Sequence, residues 1–174
     1  MLKVDTAGLH PSTALCLEAM QHIQEYDYFE NILDMGCGNA ILAVIAASIW
    51  DARAVAADIS EKAITDAQEH IARNRLESHI TLVRSDGFAH PAIRSHAPYQ
   101  LIICNWIAQQ LIEAAPHFRS LADVQGYCIL GGVLSWLAEP VITAYTTLGF
   151  TVEKQWENSP WQAYLLKFPS VTKA

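Results

Sequence analysis

Short strand-like runs punctuate this chain from end to end, and their spacing restricts the folds open to it. Asn31–Met35 (NILDM), Ala54–Ile59 (AVAADI), Ile80–Arg84, Leu101–Cys104 (LIIC) and Tyr127–Leu134 are strand-like. Most of the intervals between them carry helical periodicity. Pro11-Ser12-Thr13 opens the first helix, with Leu15, Ala19 and Ile23 one turn apart and Ser12 or Thr13 as its N-cap. Ala40–Ile49 is apolar all round, which reads as a buried helix. Glu61–Asn74 places Ile64, Ala67 and Ile71 on one face behind Ser60 as N-cap. His90–Pro98 contains two prolines and reads as loop. Ala108–Ala115 is helical, with a second amphipathic piece at Phe118–Leu121, and Glu139–Leu148 is the last helix, with Pro140 in its first turn.

Strands that are apolar on both faces and separated by helices form a mainly parallel sheet covered on both sides. The chain ends differently. Thr151–Trp156 and Gln162–Phe168 are joined through Asn158-Ser159-Pro160, too short for a parallel crossover, so these two strands are antiparallel if they pair. The expected fold is therefore α/β: one doubly wound, mainly parallel seven-stranded sheet with an antiparallel C-terminal strand, in a single domain over residues 1–174. With 52 % hydrophobic residues the chain can bury a core without a metal or disulfide, and it is not disordered. Its four cysteines have no C-x-x-C spacing and read as buried free thiols of a cytoplasmic protein. The longest apolar run, Ala40–Trp50, is too short to span a bilayer, and the first residues carry no signal-peptide pattern. A net charge of −7 with 11 scattered basic residues argues against a nucleic-acid partner. Seven histidines without i, i+4 pairing argue against a metal site.

Ligands of such sheets bind beyond the carboxyl ends of the strands, and four candidate features fall there. Asp34-Met35-Gly36-Cys37-Gly38 closes the first strand, its glycines allowing close backbone approach and its following helix presenting free N–H groups. Asp58, 22 residues beyond Gly36, is placed to accept from both hydroxyls of a ribose. Asp86, in Ser85-Asp86-Gly87, is placed to accept from an exocyclic amine. Asn105-Trp106-Ile107 closes the fourth strand, with a carboxamide that both donates and accepts. Taken singly, each has a plain structural reading as turn, cap or core. Together they point to a nucleoside ligand. Position 41 is Ile where the dinucleotide pattern needs Gly, and no Lys lies between Lys3 and Lys62 to neutralise a polyphosphate. Asp34 beside the glycines suits a cationic, phosphate-free ligand, and S-adenosylmethionine meets that description.

The order Asp-x-Gly-x-Gly, Asp-Ile-Ser, Ser-Asp-Gly and an Asn after LIIC resembles class I S-adenosylmethionine-dependent methyltransferases. More narrowly, His10-Pro11-Ser12-Thr13-x-Leu15-Cys16-Leu17-Glu18, ILDMGCGNAILAV and LIICNWIAQQL resemble the catalytic domain of the PrmA family, enzymes that methylate the large-subunit ribosomal protein L-eleven. The likeness runs from about Thr6 to Phe168. It implies a Rossmann-like fold, with Thr13, Gly36, Asp58 and Asn105 contacting the cofactor and Gly38 and Asp86 beside it. It also implies a protein substrate. Four positions depart from the pattern: Thr6-Ala7-Gly8 stands for Gly-Thr-Gly, Ala40 for a third loop glycine, Gln100 for an acidic residue and Gly131 for a Ser. The family's separate N-terminal recognition domain has no counterpart in these 174 residues. The expected catalytic residues are Asn105, orienting an attacking amine, and Trp106, walling the acceptor pocket. His10 reads equally as a lid over the cofactor and as support for the helix start. A protein-amine methyltransferase, a small-molecule or RNA methyltransferase, and a non-catalytic cofactor-binding module needing a partner chain all stay open.

Overall fold

The computed structural model describes residues 8–168, so Thr6 and Ala7, where the family likeness begins, lie outside the described residues. Seven strands form one sheet: β1 Asn31–Met35, β2 Arg53–Asp58, β3 Ile80–Arg84, β4 Tyr99–Asn105, β5 Ala122–Leu134, β6 Thr151–Asn158 and β7 Trp161–Lys167. Their spatial order is β3-β2-β1-β4-β5-β7-β6, with the first five parallel and β7 antiparallel to both β5 and β6. The direction of winding reverses between β1 and β4, which places the switch point at the glycine loop after β1.

Strand periodicity sorts the core into two layers. Ile32, Ala54, Ala56, Leu101 and Ile103 face one way, under α1 (Pro11–Ile23), α2 (Ile41–Trp50) and α3 (Glu61–Arg73). Their neighbours Leu33, Val55, Ala57, Ile102 and Cys104 face the other way, under α4 (Pro91–Ser95), α5 (Ala108–Leu121) and α6 (Ala138–Thr146). All four cysteines are buried and unpaired.

Three local expectations are corrected. The N-cap of α1 is His10 rather than Ser12 or Thr13: its Nδ1 accepts from Ser12 N–H at 3.3 Å, and Pro11 occupies the first helical position. His10 also meets the Trp161 ring edge-on at 4.9 Å, so its visible work is to support the helix start. The stretch 90–98 holds a one-turn helix because His90-Pro91 repeats that arrangement, His90 Nδ1 accepting from Ala92 N–H at 3.2 Å. Tyr99 Oη pins the turn by donating to Ile93 O at 2.7 Å. Finally, the two helical pieces after β4 are a single helix, α5, that continues through Pro116.

The departures at Gln100 and Ala40 have visible structural consequences. Gln100 Oε1 accepts from Glu30 N–H and Asn31 N–H at 2.7 and 3.1 Å, so an amide fixes the start of β1. Ala40 takes φ +59° at the head of α2, a left-handed conformation that costs a non-glycine residue about 1–2 kcal/mol.

Candidate active site

An open cleft of about 340 Å³ lies over the carboxyl ends of β1 to β4, within the range of small-ligand sites. Gly36, Asp58, Asp86 and Trp106 all line it, so four of the eight sequence-predicted residues share one wall system. Gly36 takes φ +73°, which turns the chain sharply enough for its own N–H and that of Cys37 to bond Ala57 O at 2.8 and 3.0 Å. Asp58 ties the loop down: its Oδ2 accepts from Gly38 N–H at 2.9 Å and its Oδ1 from Ser60 N–H at 2.9 Å. Each carboxylate oxygen retains a further acceptor site, so the side chain can serve loop and ligand together.

Asp34 is placed differently. It is 1 % exposed and does not line the cleft. The strand period turns it to the same face as Ile32, beneath α2, where its Oδ2 accepts from Ala43 N–H at 3.0 Å. Its carboxyl is pushed up to about 7, chiefly by burial, with the Ala43 bond pulling it down and the nearby Asp58 charge adding to the rise. Asp34 thus pins the helix start from below. Ile41 N–H is likewise taken, by Asn39 Oδ1 at 3.2 Å, so two of the N–H groups expected to face a ligand are already bonded internally.

Thr13 and Asn105, 92 positions apart in sequence, meet at the end of β4, Asn105 Nδ2 donating to Thr13 Oγ1 at 3.1 Å. The other end of that carboxamide, Asn105 Oδ1, is buried with no hydrogen-bond partner among the described residues. A Cβ on Gly131 would lie 2.9 Å from this oxygen and 2.3 Å from Cys16 Sγ, so the departure at Gly131 is matched to a tightly filled corner. An unpaired buried acceptor costs about 1–3 kcal/mol.

The remaining walls were not anticipated. Ile59 and Phe88 flank the carboxylates, and Gln110, Glu113, Ala114 and His117 of α5 close the far side. The signal was available in the sequence, since positions 110, 113, 114 and 117 follow the i, i+3, i+4, i+7 spacing of one helix face. Their mixed polarity conceals it. Phe88 is held rigidly, stacked on His117 at 4.7 Å and edge-on to Phe118 at 5.5 Å. Among the described residues, no group of three or more His, Cys, Asp or Glu is arranged to hold a metal ion.

The family model described as ribosomal protein L11 methyltransferase (PrmA) matches residues 6–168. The chain belongs to the PrmA family. Ribosomal protein L11 methyltransferase of Brucella melitensis biotype 2 is 38 % identical to this chain over 160 residues, 92 % of this chain and 56 % of that protein. The corresponding Chelativorans protein is 33 % identical over 143 residues, 82 % of this chain and 49 % of that one. This PrmA-family chain therefore spans about half the length of the curated relatives it matches. In fold it is similar to the crystal structure of ribosomal protein L11 methylase from Lactobacillus delbrueckii subsp. bulgaricus, with a TM-score of 0.83, 22 % identity, and 95 % and 83 % of the two chains covered. A methyltransferase structure from Pyrococcus furiosus shares the fold at a TM-score of 0.74 and 17 % identity, with 95 % and 92 % covered. The PrmA-family assignment and the sheet order agree with the expected doubly wound architecture. No helix among the described residues is long and apolar enough to cross a membrane.

Proposed function

We propose that this chain is the catalytic domain of an S-adenosylmethionine-dependent methyltransferase acting on protein amines, with a ribosomal protein as its acceptor. The observation that carries the reading is the charge of the cleft. Asp58, Asp86 and Glu113 line it and, among the described residues, no Lys or Arg does, which favours a cationic, phosphate-free nucleoside over a nucleotide. Family membership and the relatives' names support the acceptor class. A ribosomal-protein acceptor also suits a cytoplasmic setting and a chain of unpaired thiols.

In this reading Asp58 receives the ribose hydroxyls, Asp86 the adenine side, and the bare backbone of Gly36 and Gly38 the body of the cofactor. Thr13 and Asn105 meet its amino-acid end, and Asp34 acts from beneath the loop by fixing α2. S-adenosylmethionine supplies, when bound, a methyl carbon already activated by its sulfonium. The residues of this chain would hold the acceptor nitrogen in line with that carbon. The chain's task is chiefly alignment. Asn105, held at the end of β4 by its bond to Thr13, and the backbone carbonyls of the Asn105–Ile107 turn orient the acceptor amine and hold its lone pair in line. Trp106 walls the acceptor side.

Incubating the chain with tritium-labelled S-adenosylmethionine and a ribosome-containing lysate tests this. Label in ribosomal protein supports the proposal. Label in RNA or small molecules moves the acceptor to those classes, and no label despite calorimetric binding of the cofactor indicates a module that needs a partner chain.

A further inference from the structure

Trp106 lies where the glycine loop was expected to leave room. A Cβ built on Gly36 would meet Trp106 Nε1 at 1.6 Å and Cε2 and Cδ1 at 2.5 and 2.6 Å, so the indole rests directly on the Gly36 backbone. The same ring stands edge-on to Phe88 at a centroid distance of 6.1 Å. It therefore bridges the loop after β1 and the loop after β3, across the cleft that also holds Asp58 and Asp86. Gly36 is bare, but its bare face is covered by the protein's own side chain.

The main chain at this point has little freedom to shift. A Cβ on Gly132 would lie 2.4 Å from Trp106 O, so the two backbones are in close contact, and Asn105 is tied to Thr13. The following residue, Ile107, is 62 % exposed, which leaves open solvent beside the turn. The movable part is the indole, by rotation about its own side-chain bonds.

We infer that Trp106 is a two-position gate: its indole covers Gly36 until the nucleoside cofactor displaces it, and in the displaced position it walls the acceptor pocket beside Asn105. This rests on the cofactor reading given above. One side chain then couples the two halves of the site. The acceptor pocket is completed only once the cofactor has moved the ring, which imposes an order of binding with cofactor first. Because only molecules with the ring lifted can bind, the apparent affinity is reduced by the fraction in that position.

The test compares the full chain with Trp106→Ala and Trp106→Phe, using S-adenosylhomocysteine as the calorimetric probe and labelled methyl transfer as the activity readout. Trp106→Ala is expected to bind the probe more tightly, on the order of tenfold, while methyl transfer at saturating cofactor falls. Trp106→Phe, which preserves an aromatic contact with Phe88, is expected to lie between. Probe binding should change the intrinsic fluorescence of the wild-type chain, which has 5 tryptophans, and Trp106→Phe should remove that change. Equal or weaker probe binding by both variants, with melting temperatures like that of the wild type, overturns the gate. Absence of probe binding by wild type and variants alike instead overturns the cofactor reading and the gate with it.

Discussion

Replacing Asp34 by Asn tests the most perturbed carboxyl of the site. In the folded chain burial holds this group at about 7, against an ordinary value of 3.8. Between those values the folded state keeps a proton that the unfolded state has lost. Stability therefore falls as pH rises, and the contribution present at low pH is gone once pH passes the folded value. From pH 5 to pH 8 the loss amounts to about two units at 1.36 kcal/mol each, or about 3 kcal/mol. Asn keeps an oxygen that can accept from Ala43 N–H, and it does not ionise. Urea unfolding of wild type and Asp34→Asn, followed by circular dichroism at both pH values, isolates the effect. The difference between the two unfolding free energies should shift by about 3 kcal/mol in the variant's favour on going from pH 5 to pH 8. Any fixed packing cost of the amide cancels in that comparison. A difference that is the same at both pH values would refute the argument that this carboxyl is desolvated by burial.

Asp58→Ala removes the acceptor of two backbone N–H groups and should lower stability by about 1–2 kcal/mol in chemical unfolding while abolishing S-adenosylhomocysteine binding in calorimetry. Asn105→Ala should weaken probe binding less than Asp58→Ala does and reduce labelled methyl transfer at saturating cofactor on the order of a hundredfold, since the lost group acts on alignment. Intact turnover in Asn105→Ala would sink the positioning role. Tyr145 is fully buried and donates to Leu111 O at 3.0 Å, joining α6 to α5 behind the cleft. Tyr145→Phe should leave that carbonyl unpaired and cost about 1 kcal/mol in thermal unfolding without changing probe affinity.

Much of the site was legible one strand end at a time. The cleft gathers Gly36, Asp58, Asp86 and Trp106 because parallel strands deliver their carboxyl ends to one edge, and that follows from alternating strands and helices. Asp34 shows where linear reading stops. Its position in the motif is plain, but its side-chain direction depends on which sheet face α2 covers, and the covering helix made it a buried pin. In the sequence His10 reads as lid or helix support and His90 as part of a loop, whereas both cap a helix, set by the Pro that follows each. The α5 wall was hidden because Gln110, Glu113 and His117 carry no apolar stripe; what they face is a cavity.

The sequence by itself determined the sheet's class, the antiparallel ending, the chain positions where a ligand could be met and the unsuitability of those positions for phosphate. These are local properties: hydrophobic period, connection length, residue type and charge. Only the tertiary structure decided that Thr13 reaches Asn105, that the latter's oxygen is left without a partner among the described residues, and that an indole from the end of β4 covers the glycine at the end of β1. Each of those facts is a distance between segments far apart in sequence. Such distances are set by how strands and helices pack, and no local pattern encodes them.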